Sequence, residues 1–500
     1  MVGVPERPPP RSPFSAAEWS GLSADSRQWI WDLAATVREL QARLKLNSTN
    51  SSKPPSSDPP AVKRPRRPRS GRRPGGQPGH RGHCRPLVPA DRVDRVVEVH
   101  PKRCRGCGAT LPRSARSESD FWPHQFAEIP AIEPLVTEVR QFRDCCPFCS
   151  AVTMADLPEG VPDGAFGPNL RALLVLLTGR FRMSQREVVE FSAEALGLSI
   201  SLGSVSNLCL GVGRALMLPV REVREGIRKA KVVHADESGW RQRGIRHWIW
   251  VVATATLAFF KIARSRGAEV VREILGEAFA GFIVTDRWAA YLVICPERRQ
   301  VCWAHLERDF QGIVDRGGPG KKFGERGLDL CRRLFAIWNA YSRDHEISRR
   351  AMTRRMNDVE FDLGQLLEGG RHSPDRKVRT FCNKLLELSP SLYLFSREPG
   401  IEPTNNRAER ALRPIVLWRK GSFGTGSKAG SRFVERIMTV VMTLRLQGRP
   451  VLPYLQEVCR AQDHGERAPP LVQQQRPPRG PPKVDAVSRF GTKVRKRKTG

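Results

Sequence analysis

The chain has 500 residues, 84 Lys and Arg against 51 Asp and Glu, a formal net charge of +33 and an apolar fraction of 40%. That length exceeds what one hydrophobic core usually serves, so several domains are expected, and the charge favours a polyanionic partner, nucleic acid ahead of a membrane surface. The longest apolar run, Trp248 to Phe260, is about thirteen residues against the roughly twenty that span a bilayer, so no transmembrane helix is expected. The start MVGVPERPPPRSPF has no apolar stretch behind a basic one, which gives a cytoplasmic location as the expectation. The twelve cysteines then read as thiols or metal ligands rather than as a disulfide framework.

Within residues 1–52, Ile30, Leu33, Val37, Leu40 and Leu44 recur at helical spacing. This is a short a/d stripe that could pair two chains as a coiled coil or pack on its own domain. Residues 53–83 are Ser-, Pro-, Gly- and Arg-rich and are expected to be a disordered basic linker, either lying along phosphates or serving as a tether. Residues 84–150 carry Cys104-x-x-Cys107 and Cys146-Pro-x-Cys149, two knuckles of the kind by which thiolate pairs grip a structural Zn²⁺. Cys145 could replace Cys146, His80, His83 and Cys84 are further candidate ligands, and reduced buried thiols are the competing reading. Residues 151–228 turn helical, with Leu170, Leu173, Leu174 and Leu177 on one face. There SQREVVEFSAEALGLSISLGSVSNL reads as helix, turn at Gly197, then a second helix from about Ser201 to Ser204, either a DNA-reading helix-turn-helix or a plain hairpin.

Residues 229–308 change period: KVVHADESGW and HWIWVVATATLAFFKIA give two or three strands, AEVVREILGEAFA a helix, GFIVTD a strand ending in an acid, and RRQVCWAHL a strand running into a helix. The order implies an α/β layer with helices against a mixed sheet. Residues 309–402 read as an α-helical insertion, and 403–460 return to the core with a stripe of Phe433, Ile437, Val440, Val441 and Leu444 that stops at Gly448 and Pro450. Residues 461–500 read as a basic, disordered tail.

Three acids stand out. Asp236 lies on the first strand, with Val232 on its face and Glu237 on the other; Asp286 ends a later strand; Glu409 lies on a helix starting near Thr404 to Asn406. Carboxylates that converge from distant positions are what a pair of hard Mg²⁺ ions (or Mn²⁺) needs for phosphodiester chemistry. Each acid alone has a plainer reading: Asp236 as a turn former, Asp286 as an N-cap, Glu409 as the N3 partner of Asn406 in a capping box.

The strings VVHADESGW, FIVTDRWAAY, CWAHLERDF and NNRAERALRPIVLWRKGSFGTGSKAG resemble the insertion-sequence-66 family of DDE transposases, and the likeness runs from about Ala24 to Gln456. The resemblance implies a ribonuclease-H-like core with a helical insertion before the glutamate and a zinc-binding module ahead of it. It also implies Mg²⁺-dependent cleavage at element ends and strand transfer into target DNA, with Asp236, Asp286 and Glu409 as the triad. The expected partners are DNA, a second copy or a larger assembly, and small companion proteins encoded by the element, at the nucleoid. Where relatives carry Asp-Gly-Tyr after the second acid this chain has Asp286-Arg287-Trp288. Arg413, Arg419, Lys420 and His305 are the expected DNA contacts, although Pro414 could kink the helix and put Lys420 in a separate loop. His305 has the alternative of a hydrogen-bonded structural histidine, and Trp240, Trp288 and Trp418 could stack on a base or fill the core. Two rival functions are a DNA-binding protein derived from a transposase without catalysis, and a ribonuclease-H-type nuclease that does not join.

Overall fold

The computed structural model describes residues 6–10, 12–44, 86–111 and 121–472. The basic linker, the end of the tail, and His80, His83 and Cys84 lie outside the described residues. Helix α1 (Ala16–Ser20) opens with a capping box from Ser15 and Glu18, and α2 (Ala24–Leu44) follows. Along α2 the a/d stripe is largely uncovered by the described residues, with Leu33 47% and Leu40 50% exposed. Two short strands, β1 (Arg143–Cys145) and β2 (Val152–Met154), form an antiparallel hairpin in a mostly exposed segment.

Four helices come next: α3 (Pro168–Gly179), α4 (Gln185–Leu196), α5 (Leu202–Ala215) and α6 (Met217–Arg228). Gly197 ends α4 at φ +64°, a backbone region open to glycine, and the Ser201 hydroxyl caps α5, so a helical hairpin forms at that turn. Helix α3 is buried on both sides, Leu174 and Leu177 facing this hairpin while Ala172 and Val175 join the main core.

The sheet holds five strands in the order β5 (Ala258–Ala263), β4 (Ile245–Ala253), β3 (Val232–Gln242), β6 (Phe282–Thr285), β7 (Arg299–Val301). The first three are antiparallel neighbours, and β6 and β7 run parallel to β3. Arg243 and Gly244, both at positive φ, make the two-residue turn that joins β3 to β4. Helix α7 (Ala268–Leu275) covers part of the sheet, ending at Gly276 rather than running through GEAFA. From Trp303 the chain is helical: α8 (Trp303–Arg316), α9 (Lys321–Ser342), α10 (Arg349–Gly370), α11 (Arg376–Glu387) and the short α12 (Leu394–Arg397). These helices enclose their own core around Trp303, Phe310, Leu334, Met356 and Phe395.

Helices α13 (Asn406–Ser422), α14 (Lys428–Leu446) and α15 (Val451–Asp463) complete the layer. The outer edge of β5 would leave amides unpaired, yet the amides of Ile262, Phe260 and Ala258 donate to Glu435 Oε1 (2.6 Å), Thr439 Oγ1 (3.0 Å) and Thr443 Oγ1 (3.1 Å). The spacing explains the match: four residues of helix rise about 6 Å and two of strand about 6.6 Å, so every second amide meets every fourth helical side chain. Order also extends past residue 461, because Leu471 is fully buried and the Tyr454 hydroxyl donates to the Pro469 carbonyl at 2.8 Å. Among the described residues no single helix is long and apolar enough to cross a membrane.

Candidate active site

The parallel register of β3 and β6 ends at the pair His234–Val284. Asp236 and Asp286 each lie two residues beyond it. Period-two alternation therefore puts both acids on the same face, just beyond the last paired rung of neighbouring strands that lie about 4.8 Å apart where they pair. Both are half-buried. The Asp236 carboxyl is held well above the usual carboxylate range, first by burial and then by the charges of Glu237, Asp286 and Glu409. One oxygen of Asp236 accepts the Glu237 amide at 2.9 Å, and one of Asp286 accepts the Trp288 amide at 2.9 Å, a local turn that leaves its other oxygen for a ligand.

Glu409 arrives from the first turn of α13, whose N-cap is Asn405 rather than Asn406. No capping box forms, so Glu409 is not spent on its own helix. The fully buried Asn405 crosses to the sheet instead: its Nδ2 donates to the Ala235 carbonyl at 2.7 Å, its amide donates to Cys302 Sγ at 3.1 Å, and its carbonyl accepts the Glu409 amide at 3.1 Å. One side chain thus ties the helix bearing Glu409 to the residue before Asp236. His234, also buried, has its pKa lowered to about 3, chiefly by burial and the nearby Arg407, so it is neutral beside the acids.

Glu237 points the other way. Its side chain is gripped by Arg266 Nη2 at 2.7 Å and by the Tyr291 hydroxyl at 2.7 Å, while burial still raises its pKa. Arg266 lies between Trp248 and Trp288, 4.6 and 3.7 Å from the ring centroids, and its carbonyl accepts the Trp288 indole N–H at 3.0 Å. The departure Arg287-Trp288 is therefore built into the surroundings, since Arg287 also pairs with Asp309 at 2.6 Å. Below this turn the buried Arg299 donates to Thr285 Oγ1 (3.0 Å) and to the Asp286 carbonyl (2.7 Å), fixing the loop that carries the second acid.

The remaining expected residues separate. His305 Nδ1 lies 3.7 Å from Glu409 Oε1, and Arg308 Nη2 lies 3.8 Å from the same oxygen. Helix α13 runs unbroken through Pro414, so Lys420 belongs to the helix and not to a separate loop; Arg413 and Lys420 are exposed on the stripe of Glu409. Arg419 is half-buried and turned inward, donating to Ser238 Oγ at 2.9 Å and to the Gly239 carbonyl. Trp240 and Trp418 are core residues, whereas Trp288 is 38% exposed. Past α13 the FGTG segment docks on the β3–β4 hairpin through Thr425, whose amide donates to the Arg241 carbonyl at 2.9 Å. Gly424 sits at φ +125°, where a Cβ would lie 2.1 Å from that carbonyl.

The two cysteine knuckles share one backbone design. The amides of Cys104 and Cys146 donate to Ala109 and Ala151, and Gly108 and Ser150, both at positive φ, donate back to the cysteine carbonyls. Backbone amides inside each loop hold the Cys104 and Cys146 thiols below their ordinary pKa, a setting that fits metal-bound thiolates. The four sulfurs of Cys104, Cys107, Cys146 and Cys149 do not gather into one ligand group, however: among the described residues the group of that kind is Cys302, His305 and Glu409. Asn405, Arg308, Arg266, Arg299 and Tyr291 escaped the sequence reading, which had no partner to assign them.

Asp236 within β3, Asp286 just past the end of β6 and Glu409 in the first turn of α13 lie on a mixed open sheet flanked by helices, an architecture consistent with a transposase-like fold. The family model described as "Transposase IS66 family" matches residues 163–432, and the chain belongs to that family. Residues 16–86 match a second family model, described as a family of unknown function, DUF6444. Among similar proteins, uncharacterized protein y4hP of Sinorhizobium fredii (strain NBRC 101917 / NGR234) is 25% identical over 411 residues, covering 74% of this chain and 72% of its own. Uncharacterized protein y4qI of the same strain is 23% identical over 406 residues, covering 73% and 72%.

Proposed function

We propose that this protein is a DNA transposase that cuts the ends of its element and joins them to target DNA, using Asp236, Asp286 and Glu409 on a ribonuclease-H-like core. The observation that carries the reading is the strand register, which gives Asp236 and Asp286 matching offsets beyond His234–Val284, with Glu409 tied to the same strand through Asn405. Acidic oxygens that repel one another in a half-buried crevice suit hard divalent cations, and Mg²⁺ or Mn²⁺ would be held by these three residues. When bound, such a pair activates the attacking oxygen, stabilises the leaving one and neutralises charge between them.

The chain's own residues do the rest. Asp236, raised in pKa, must lose its proton before it can ligate, so function should weaken as pH falls. Arg299 and the Arg287–Asp309 pair fix the turn of Asp286, while Arg413 and Lys420 face outward to bind phosphates. The two knuckles would close into one structural Zn²⁺ site, and the uncovered stripe of α2 supports pairing with a second copy. Companion proteins of the element and a nucleoid location in the cytoplasm belong to the same proposal.

The test is an Mg²⁺-dependent cleavage and joining assay on DNA carrying the element's terminal repeats, with Asp236→Asn, Asp286→Asn and Glu409→Gln. Joined products from wild type that vanish in all three variants support the reading. Binding without cleavage would point to a non-catalytic DNA binder, and nicking without joining to a nuclease.

A further inference from the structure

At the start of α8 a sulfur of Cys302, a ring nitrogen of His305 and a carboxylate oxygen of Glu409 lie within 4.8 Å of one another. His305 Nδ1 and Glu409 Oε1 are both buried and make no hydrogen bond. They face each other at 3.7 Å, too far for a bond of their own. Arg308 Nη2 comes no nearer than 3.8 Å to that oxygen, and two buried polar atoms left without a hydrogen bond call for an explanation in a native structure. The third group is the buried Cys302 sulfur, which receives the Asn405 amide at 3.1 Å. Cys302 caps α8 and His305 follows three residues later, so the two donors sit on the first turn while Glu409 meets them from α13.

A mixed S, N and O set is wrong for Mg²⁺ and right for Zn²⁺ or its spectroscopic substitute Co²⁺. Tetrahedral zinc with its usual bond lengths spaces its ligand atoms roughly 3.4–3.6 Å apart, so the His305–Glu409 separation needs almost no adjustment. We propose that Cys302, His305 and Glu409 form a second, zinc-class metal site that shares Glu409 with the acid trio. Zn²⁺ bound there holds Glu409 away from Asp236 and Asp286, so the two metal chemistries exclude each other and zinc acts as an off-switch. The metal site itself stands apart from the transposase reading; the off-switch rests on it.

The site is tested by titrating Co²⁺ into the full-length chain with Cys104, Cys107, Cys145, Cys146 and Cys149 all replaced by Ser, which removes the knuckle thiols. The expected result is a thiolate-to-cobalt charge-transfer band that saturates at one equivalent, is lost in Cys302→Ser, and needs roughly tenfold more Co²⁺ in His305→Ala. Because Cys302 is buried, thermal melts accompany each variant. If Cys302→Ser unfolds, the half-exposed Glu409→Gln must show the same loss of Co²⁺ affinity with an unchanged melt. Absence of a band, or a band indifferent to all three substitutions, overturns the site. For the off-switch, Zn²⁺ should inhibit Mg²⁺-dependent DNA cleavage in competition with Mg²⁺; inhibition that no Mg²⁺ concentration relieves overturns the sharing of Glu409. A chain that binds Co²⁺ as expected yet never cleaves DNA would count against the transposase reading and not against the site.

Discussion

Replacing Asn405 by Ala should separate position from stability. The substitution deletes the 2.7 Å hydrogen bond to the Ala235 carbonyl and leaves that buried oxygen unpaired, while the main-chain bonds of residue 405 to Cys302 and Glu409 remain. A buried acceptor stripped of its partner costs about 1–3 kcal/mol, so a loss near 2 kcal/mol is expected in a urea melt. Even from a modest stability of about 5 kcal/mol, well over 99% of the molecules stay folded. Single-turnover cleavage should nonetheless fall about a hundredfold, because a shift of roughly 1 Å in Glu409 relative to Asp236 is enough to cost that much. A variant that melts about 2 kcal/mol earlier but cleaves within about twofold of wild type would refute Asn405 as the tie between strand and helix.

Other consequences follow from the same geometry. Asp236 has a folded-state pKa above its unfolded value, so between the two the native state holds the extra proton and stability falls as pH rises. In metal-free buffer Asp236→Asn should therefore melt higher than wild type at neutral pH, the two curves converging below the ordinary carboxylate range. Thr439→Val orphans the Phe260 amide on the β5 edge and should cost about 1–3 kcal/mol in a denaturant melt without altering DNA affinity. Lys420→Ala and Arg413→Ala, on the exposed stripe of α13, should weaken binding alike for all sequences and each lower the salt-dependence slope by about 1, read from filter binding at several ionic strengths.

What could be read from the chain was whatever local pattern encodes. β-Branched alternation marked β3 to β6, and a serine cap with a left-handed glycine marked the α4–α5 hairpin. The register was not readable, because β6 pairs with β3 across two intervening strands and nothing in FIVTD names its neighbour. Glu435, Thr439 and Thr443 hid for a related reason: polar residues on a helix suggest a solvated face, and only the β5 edge turns them into a buried ladder. Asn405 lost to Asn406 as the cap because capping statistics count sequence offsets, not a carbonyl waiting on another strand. Each knuckle is a local pattern of two cysteines around a tight turn, whereas the distance between the knuckles depends on the long segment that joins them, which no local pattern specifies. Leu471 kept the tail ordered beyond its proline-rich onset by filling the core.

If Asp236, Asp286 and Glu409 hold a pair of hard cations, anomalous scattering from a Mn²⁺-soaked crystal of the DNA-bound protein should reveal them. Two manganese peaks about 3.5–4 Å apart are expected beside these carboxylates, and none at that spacing in Asp236→Asn crystals. Manganese found elsewhere, or three carboxylates left without an ion at saturating Mn²⁺, would contradict it.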